Sequence, residues 1–230
     1  TRKESSAASD VYKRQGQAAV GDLFSYSEQL APKHIVDQAL EKEVSVLEYL
    51  EELASDIDVE DQHVIVLDWH NGNRSILSDS HLSGSIFGLT LQTPFEMIHR
   101  AYLESTAYGT KMIMKQFEEN EIPVHTVYAS GGIPKKSQLL VDIYANVLNK
   151  KVVVLESSNA TALGAAMLGA NVGGAYPSLK ETVEHMKQPI YYIKEPEPDK
   201  VKAYDKLFDK YRKLHDILGR ENPELSYIHE

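Results

Sequence analysis

The chain reads as an α/β protein, and two observations predict it. From residue 124 onward, short apolar and β-branched runs alternate with stretches whose apolar positions recur at helical spacing, the rhythm of strands joined by helices. The first of those runs, residues 124–129, ends on Gly131 and Gly132 just before Pro134 opens a helix. A strand, a paired glycine and a helix start let bare backbone approach a flat or anionic ligand with no Cβ in the way. That is the outline of a nucleotide site.

Taken in order, residues 1–15 are polar and without periodicity, and are expected to be a disordered or foreign leader. From Gln17, the residues Ala18, Ala19, Val20, Leu23 and Phe24 predict a short helix with Gly21 inside it or at its edge. One long amphipathic helix is expected next, burying Ile35, Val36, Ala39, Leu40, Val44, Leu47, Leu50 and Leu53. Its acidic residues Glu41, Glu43, Glu48, Glu51 and Glu52 read as solvated surface. Residues 63–67 form a strand-like run, 68–75 a polar Gly-containing loop, and 86–91 an extended segment. Thr93-Pro94-Phe95-Glu96 matches a capping box ahead of a helix running from Pro94 to about Asn120. Gly109 inside that helix costs about 1 kcal/mol relative to alanine, so close packing or a ligand must ask for it.

The helix expected over 134–149 places Leu139, Leu140, Ile143, Tyr144, Val147 and Leu148 on one face, suited to packing on a sheet. A strand at 151–155 and a helix at 159–171 follow. Beyond Gly173 and Gly174 come a short helix at 178–186, an extended 190–193, a Glu-Pro-Glu-Pro breaker and a charged helix at 199–218. No internal repeat is present.

Composition narrows the function. A net charge of -10 with no basic stripe opposes a nucleic-acid backbone, so nucleic acid is set aside. The absence of cysteine excludes disulfides and thiolate metal sites and fits a reducing compartment. No apolar run nears the roughly 20 residues of a bilayer span, so a cytoplasmic protein is expected, with no membrane partner.

Around the paired glycine, Ser130, Lys135, Lys136, Ser137 and Gln138 supply donors on a first helical turn, where amides lack partners and the dipole is positive. A tight turn needing φ > 0, with the lysines as solvated surface, is the other reading. The segment is neither a Walker sequence nor a Rossmann fingerprint. A second constellation, residues 160–166, begins a helix almost wholly from small residues, as close packing requires and as ligand approach would also allow. The third, residues 68–75, gathers polar side chains beside the only tryptophan, either as a binding loop or as a surface turn. The histidines lack ligand spacing and no catalytic pair or nucleophile elbow is present, so no catalytic or metal-binding residue is assigned.

Four motifs in order, Gly16-Gln17-Ala18-Ala19-Val20-Gly21-Asp22, Leu67-Asp68-Trp69-His70-Asn71-Gly72-Asn73-Arg74-Ser75, Ala129-Ser130-Gly131-Gly132-Ile133 and Ala162-Leu163-Gly164-Ala165-Ala166, resemble the carboxyl-terminal half of the FGGY carbohydrate kinases. The loop at 67–75 resembles the ribulose-phosphorylating branch of that family. The resemblance implies an actin-like, ribonuclease-H-like fold, with residues 16–195 an incomplete kinase domain and 196–230 a terminal helical extension. It also implies ATP and Mg2+ as cofactors and a ketopentose, L-ribulose, as substrate, with another sugar or polyol, or a non-catalytic nucleotide-binding module, as the alternatives. The family's Gly-Gly turn lines the adenosine end of the nucleotide, which carries over to Gly131, Gly132, Lys136 and Gln138. The helix after the first motif borders the adenine and points to Gly21 and Ser25.

In the family, the aspartate general base, a Gly-Thr-Ser phosphate turn and the sugar domain lie upstream of the Gly-Gln motif, and none is in this chain. Arg14 stands where the family tends to place a glutamate. The resemblance therefore implies a piece truncated at its amino-terminal side, unable to turn over alone, with sheet edges and apolar surface left open.

Overall fold

The computed structural model describes residues 17, 20–156 and 159–227. The leader expected at 1–15 lies outside the described residues. Helix α1 (Val20–Gln29) contains Gly21 and buries Leu23, Phe24 and Ser27. The long helix expected over 35–53 is two helices, α2 (Lys33–Glu41) and α3 (Val46–Ser55). Glu43 takes φ 57 at the break. Ser45 then starts α3 with a reciprocal capping box, its Oγ accepting from the Glu48 amide and its own amide donating to Glu48 Oε2 at 3.0 Å. The Ser-x-x-Glu start signal overrides the continuing apolar stripe, and Val36, Leu40 and Val44 are exposed. Four of the acidic residues are exposed as expected. Glu51 is half-buried, and burial pushes its carboxyl up against an opposing hydrogen bond from Ser137.

Strands β1 (Ile65–Leu67) and β2 (Ser85–Phe87) pair antiparallel. Helix α4 (Phe95–Glu119) is the spine of the core, with Ala101, Tyr102, Leu103 and Ala107 almost fully buried. Its expected capping box is not formed. Pro94 itself occupies the cap, and Thr93 Oγ1 turns back to accept from the Thr90 amide at 2.9 Å. Gly109 answers to close packing: a methyl there would overlap the Gln17 side-chain amide and lie 3.2 Å from Asp68 Oδ2.

The second sheet has the order β3 (Thr126–Ala129), β4 (Lys151–Leu155), β5 (Ile190–Lys194). The first pair is parallel and the second antiparallel. Between β3 and β4 the single expected helix is broken into a short turn, α5 (Ile133–Lys136), and α6 (Gln138–Leu148). Ser137 leaves the helical region (φ -109, ψ 96), and its Oγ accepts from the Leu140 amide at 3.1 Å to cap α6. Helix α6 is buried on two sides. Leu140, Ile143, Val147 and Leu148 join the main core with α4, whereas Val141 and Ala145 pack on Val152 and Val154 of the sheet. The stripe expected to face the sheet thus mainly serves the core.

Helix α7 (Ala160–Val172) packs on the helix that follows it but has no fully buried residue. Helix α8 (Leu179–Met186) follows, capped by Ser178. Helix α9 (Pro198–Asp216) lays Tyr204, Leu207, Phe208 and Tyr211 into the core that α4 and α6 share, and runs on into a π turn, Ile217–Glu221.

Candidate functional site

The turn between β3 and α5 is built to stay bare. Gly131 has φ +104, a conformation side chains rarely adopt, and among the described residues a Cβ on Gly131 or Gly132 would meet nothing within 4 Å. Both glycines line a cavity of about 450 Å³. Val127, Ala129, Leu140, Val141, Tyr144 and Val152 form much of its wall, and Val20 of α1 reaches it from outside the sheet. The turn is held from behind by the Tyr192 hydroxyl, which donates to the Pro134 carbonyl at 3.0 Å. Gly21 stands beside it, with a methyl there 4.0 Å from Ile133 Cδ1. Burial pushes the Tyr144 hydroxyl up, against opposing hydrogen bonds with Thr106 and Thr110 of α4.

Because α5 is only 4 residues long, the helix dipole expected of a helix over 134–149 is not delivered to this turn. The walls are mostly apolar, which suits a flat ring system better than a phosphate.

The other expected ligands are dispersed. Gln138 lines a separate cavity of about 420 Å³ with Arg100, Asp142, Asn146 and Tyr204. Ser25 lines a third, of about 550 Å³, with Asp22, Tyr26, Gln29 and His70. Lys136 follows the turn at the end of α5 and faces toward Glu48, whose carboxyl is held low, first by the Ser45 amide and hydroxyl and to a smaller degree by Lys136. The structure therefore brings Gly21, Gly131 and Gly132 together, and it places Lys136, Gln138 and Ser25 on other surfaces. Sequence reasoning missed Val20, Leu140 and Tyr144 as cavity wall. The Leu140/Tyr144 spacing carries that signal, since a face suited to a sheet is also apolar enough to wall a cavity.

The loop at 68–75 is half core and half surface. Trp69 is buried edge-on to His215, while Asn71 and Arg74 are exposed. Asp68 is 7% exposed and accepts from Tyr211 Oη at 3.0 Å and Gln17 Nε2 at 2.9 Å. Burial nevertheless pushes its carboxyl up to about 6. A second buried carboxylate, Glu104, accepts from Arg100 Nε at 2.9 Å and Tyr204 Oη at 3.2 Å. Two tyrosines of α9, seven positions apart, thus clamp it to the core through two buried carboxylates. Among the described residues no group of three or more metal-ligating side chains converges, and no helix is long and apolar enough to cross a membrane.

The mixed sheet, the central helix and the bare strand-to-helix turn define a lobe of an actin-like α/β fold, and residues 3–172 match the carboxyl-terminal domain of the FGGY family of carbohydrate kinases. The chain belongs to that family. It is 76% identical over 93% of its length to Ribulokinase 1 of Staphylococcus saprophyticus, and 74% identical over 93% to Ribulokinase of Staphylococcus epidermidis. It spans 40% of the length of each of these relatives. Gluconate kinase from Lactobacillus acidophilus shares the fold with a TM-score of 0.74 at 20% identity, over 90% of this chain and 39% of that one.

Proposed function

We propose that this chain supplies the nucleotide-binding half of an ATP-dependent sugar kinase acting on a ketopentose, L-ribulose. The observation that carries this reading is the bare Gly131/Gly132 turn on the wall of an apolar cavity. A purine can lie flat against main chain there, because neither glycine places a side chain in its way. Val20 bounds the same space from α1, and Gly21 beside it lies against Ile133 of the turn. The names of the relatives support ribulose as the acceptor, since the chain is 76% identical to one called Ribulokinase 1.

In such a reaction the γ-phosphoryl group of ATP passes to a primary hydroxyl, and catalysis consists mostly of positioning and charge stabilisation. Mg2+ would neutralise charge on the phosphates. This chain's part is to hold the adenosine end. Lys136, Gln138 and Ser25, which line other surfaces, contribute at most from the margins of the bound nucleotide. No general base is assigned to the described residues.

Calorimetric titration of the chain with ATP tests the reading. Gly132→Val places two methyls on the cavity wall at a position with no neighbour within 4 Å among the described residues, so the fold is retained and ATP affinity falls at least tenfold. Absence of ATP binding by the unaltered chain, or equal binding by the variant, refutes it.

A further inference from the structure

Asp68 is a buried charge that stability alone does not explain. It directly follows β1, with Tyr211 of α9 donating to one oxygen and Gln17 to the other. Burial outweighs both hydrogen bonds, since the folded carboxyl sits above its ordinary value. A carboxylate so placed costs stability at neutral pH, where an apolar side chain of similar volume would be neutral or better. Buried groups shifted in this way gather at functional sites.

What Asp68 holds is Gln17. The Gln17 side-chain amide donates to Asp68 Oδ2 at 2.9 Å, and Gln17 Oε1 accepts from Thr110 Oγ1 of α4 at 3.3 Å. Gly109 leaves the room for it, because a methyl there would overlap that amide. From Gln17 two routes lead to the nucleotide cavity. Along the chain, Gln17 stands three residues before Val20, which opens α1 and lines the cavity, and four before Gly21, which lies against Ile133 of the turn. Across space, Thr110 hydrogen-bonds with the Tyr144 hydroxyl, part of the cavity wall, and the Asp68 charge acts on the same hydroxyl.

We infer that Asp68, acting through Gln17, is a positioning residue for nucleotide binding: it fixes the start of α1 against the Gly131/Gly132 turn and holds Tyr144 at the cavity wall. The inference rests on the nucleotide site proposed above and adds to it two residues that stand behind the wall.

Calorimetric titration with ATP and hydrogen exchange of the ligand-free chain test it together. Gln17→Ala, at a half-buried position where the fold survives, lowers ATP affinity about tenfold, the worth of one hydrogen bond to a charged group. With no nucleotide present, the amides of residues 24–29 in α1 exchange about tenfold faster in that variant. Asp68→Ala lowers ATP affinity by a similar factor, and adding Gln17→Ala to it brings no further loss. Asp68→Asn keeps an oxygen for the Gln17 amide and offers an N–H to Tyr211, so ATP affinity returns to within about twofold of the unaltered chain. A packing role alone would move the unfolding midpoints and leave the ATP affinities equal. Unchanged α1 exchange in Gln17→Ala overturns the inference whether or not nucleotide binds. So do unaltered ATP affinities in Gln17→Ala and Asp68→Ala, additive losses in the double variant, or an Asp68→Asn as weak as Asp68→Ala. Absence of ATP binding by the unaltered chain, or indifference to Gly132→Val, instead overturns the nucleotide site and the inference with it.

Discussion

Removing a single hydroxyl at the α9 clamp isolates the energetics of Asp68. Tyr211 is fully buried and donates to Asp68 Oδ1 at 3.0 Å, so in Tyr211→Phe no water replaces the lost donor. A hydrogen bond to an ionised group contributes about 1.5–3 kcal/mol. In a domain of this size that lowers the thermal midpoint by roughly 6 °C. The loss depends on pH. Burial raises the folded pKa of Asp68 from 3.8 to about 6, so between those values the folded state holds more protons than the unfolded chain. The stability gained from the raised pKa is fully present below 3.8 and is lost as pH rises through about 6, a swing of about 3 kcal/mol. Taking away a donor that favours the charged form raises that pKa further. The Tyr211→Phe penalty is therefore large at pH 7.5, where Asp68 is ionised, and falls to about 1 kcal/mol at pH 4.5, where it is protonated. Urea unfolding at both pH values, with Asp68→Asn and the double variant completing a cycle, measures it. Equal losses at both pH values, or a coupling below about 0.5 kcal/mol, would refute the reasoning.

His99 carries the opposite pH dependence. Burial pushes its imidazole down to about 4, with Ser27 Oγ 2.6 Å from Nδ1 and, among the described residues, no partner on Nε2. The unfolded chain therefore gains the proton first, and stability drops as pH falls from about 6.5 toward 4. In His99→Phe the difference from the unaltered chain should move in the variant's favour by about 1–3 kcal/mol between pH 7.5 and pH 5 in urea titrations. A pH-independent difference would remove the imidazole as its cause. Arg100→Met strips the guanidinium that donates to Glu104, to the Ala54 carbonyl at 2.7 Å and to Tyr204 at 2.9 Å. It should cost about 3–5 kcal/mol, part of which Glu104→Gln in the same chain restores by removing the stranded charge. A loss under about 1 kcal/mol would show the pair to be energetically idle.

Some of this protein is written locally and some is not. Strand β4, helix α4 and the glycine turn were legible because each rests on residues within a few positions: a β-branched run, a long apolar stripe, a φ that favours glycine. Local signals also compete, and the break at Ser45 and the cap at Ser137 show short-range capping winning over an apolar period that runs on past it. Two-sided burial of α6 could not be read from its period, because Val141 and Leu140 look alike until α4 and the sheet arrive on opposite sides.

Sequence alone determined the α/β rhythm, the exposed glycine pair and kinship with a kinase family, since all three depend on spacing along the chain. Only the tertiary structure decided that Asp68 and Trp69 serve the core, that Gln138 and Ser25 line separate cavities, and that α9 is clamped through Tyr204 and Tyr211. The two clamps pair residues 100 and 143 positions apart, and each cavity gathers residues from several elements. Burial and hydrogen bonding act on distances in space, which the order of residues does not contain.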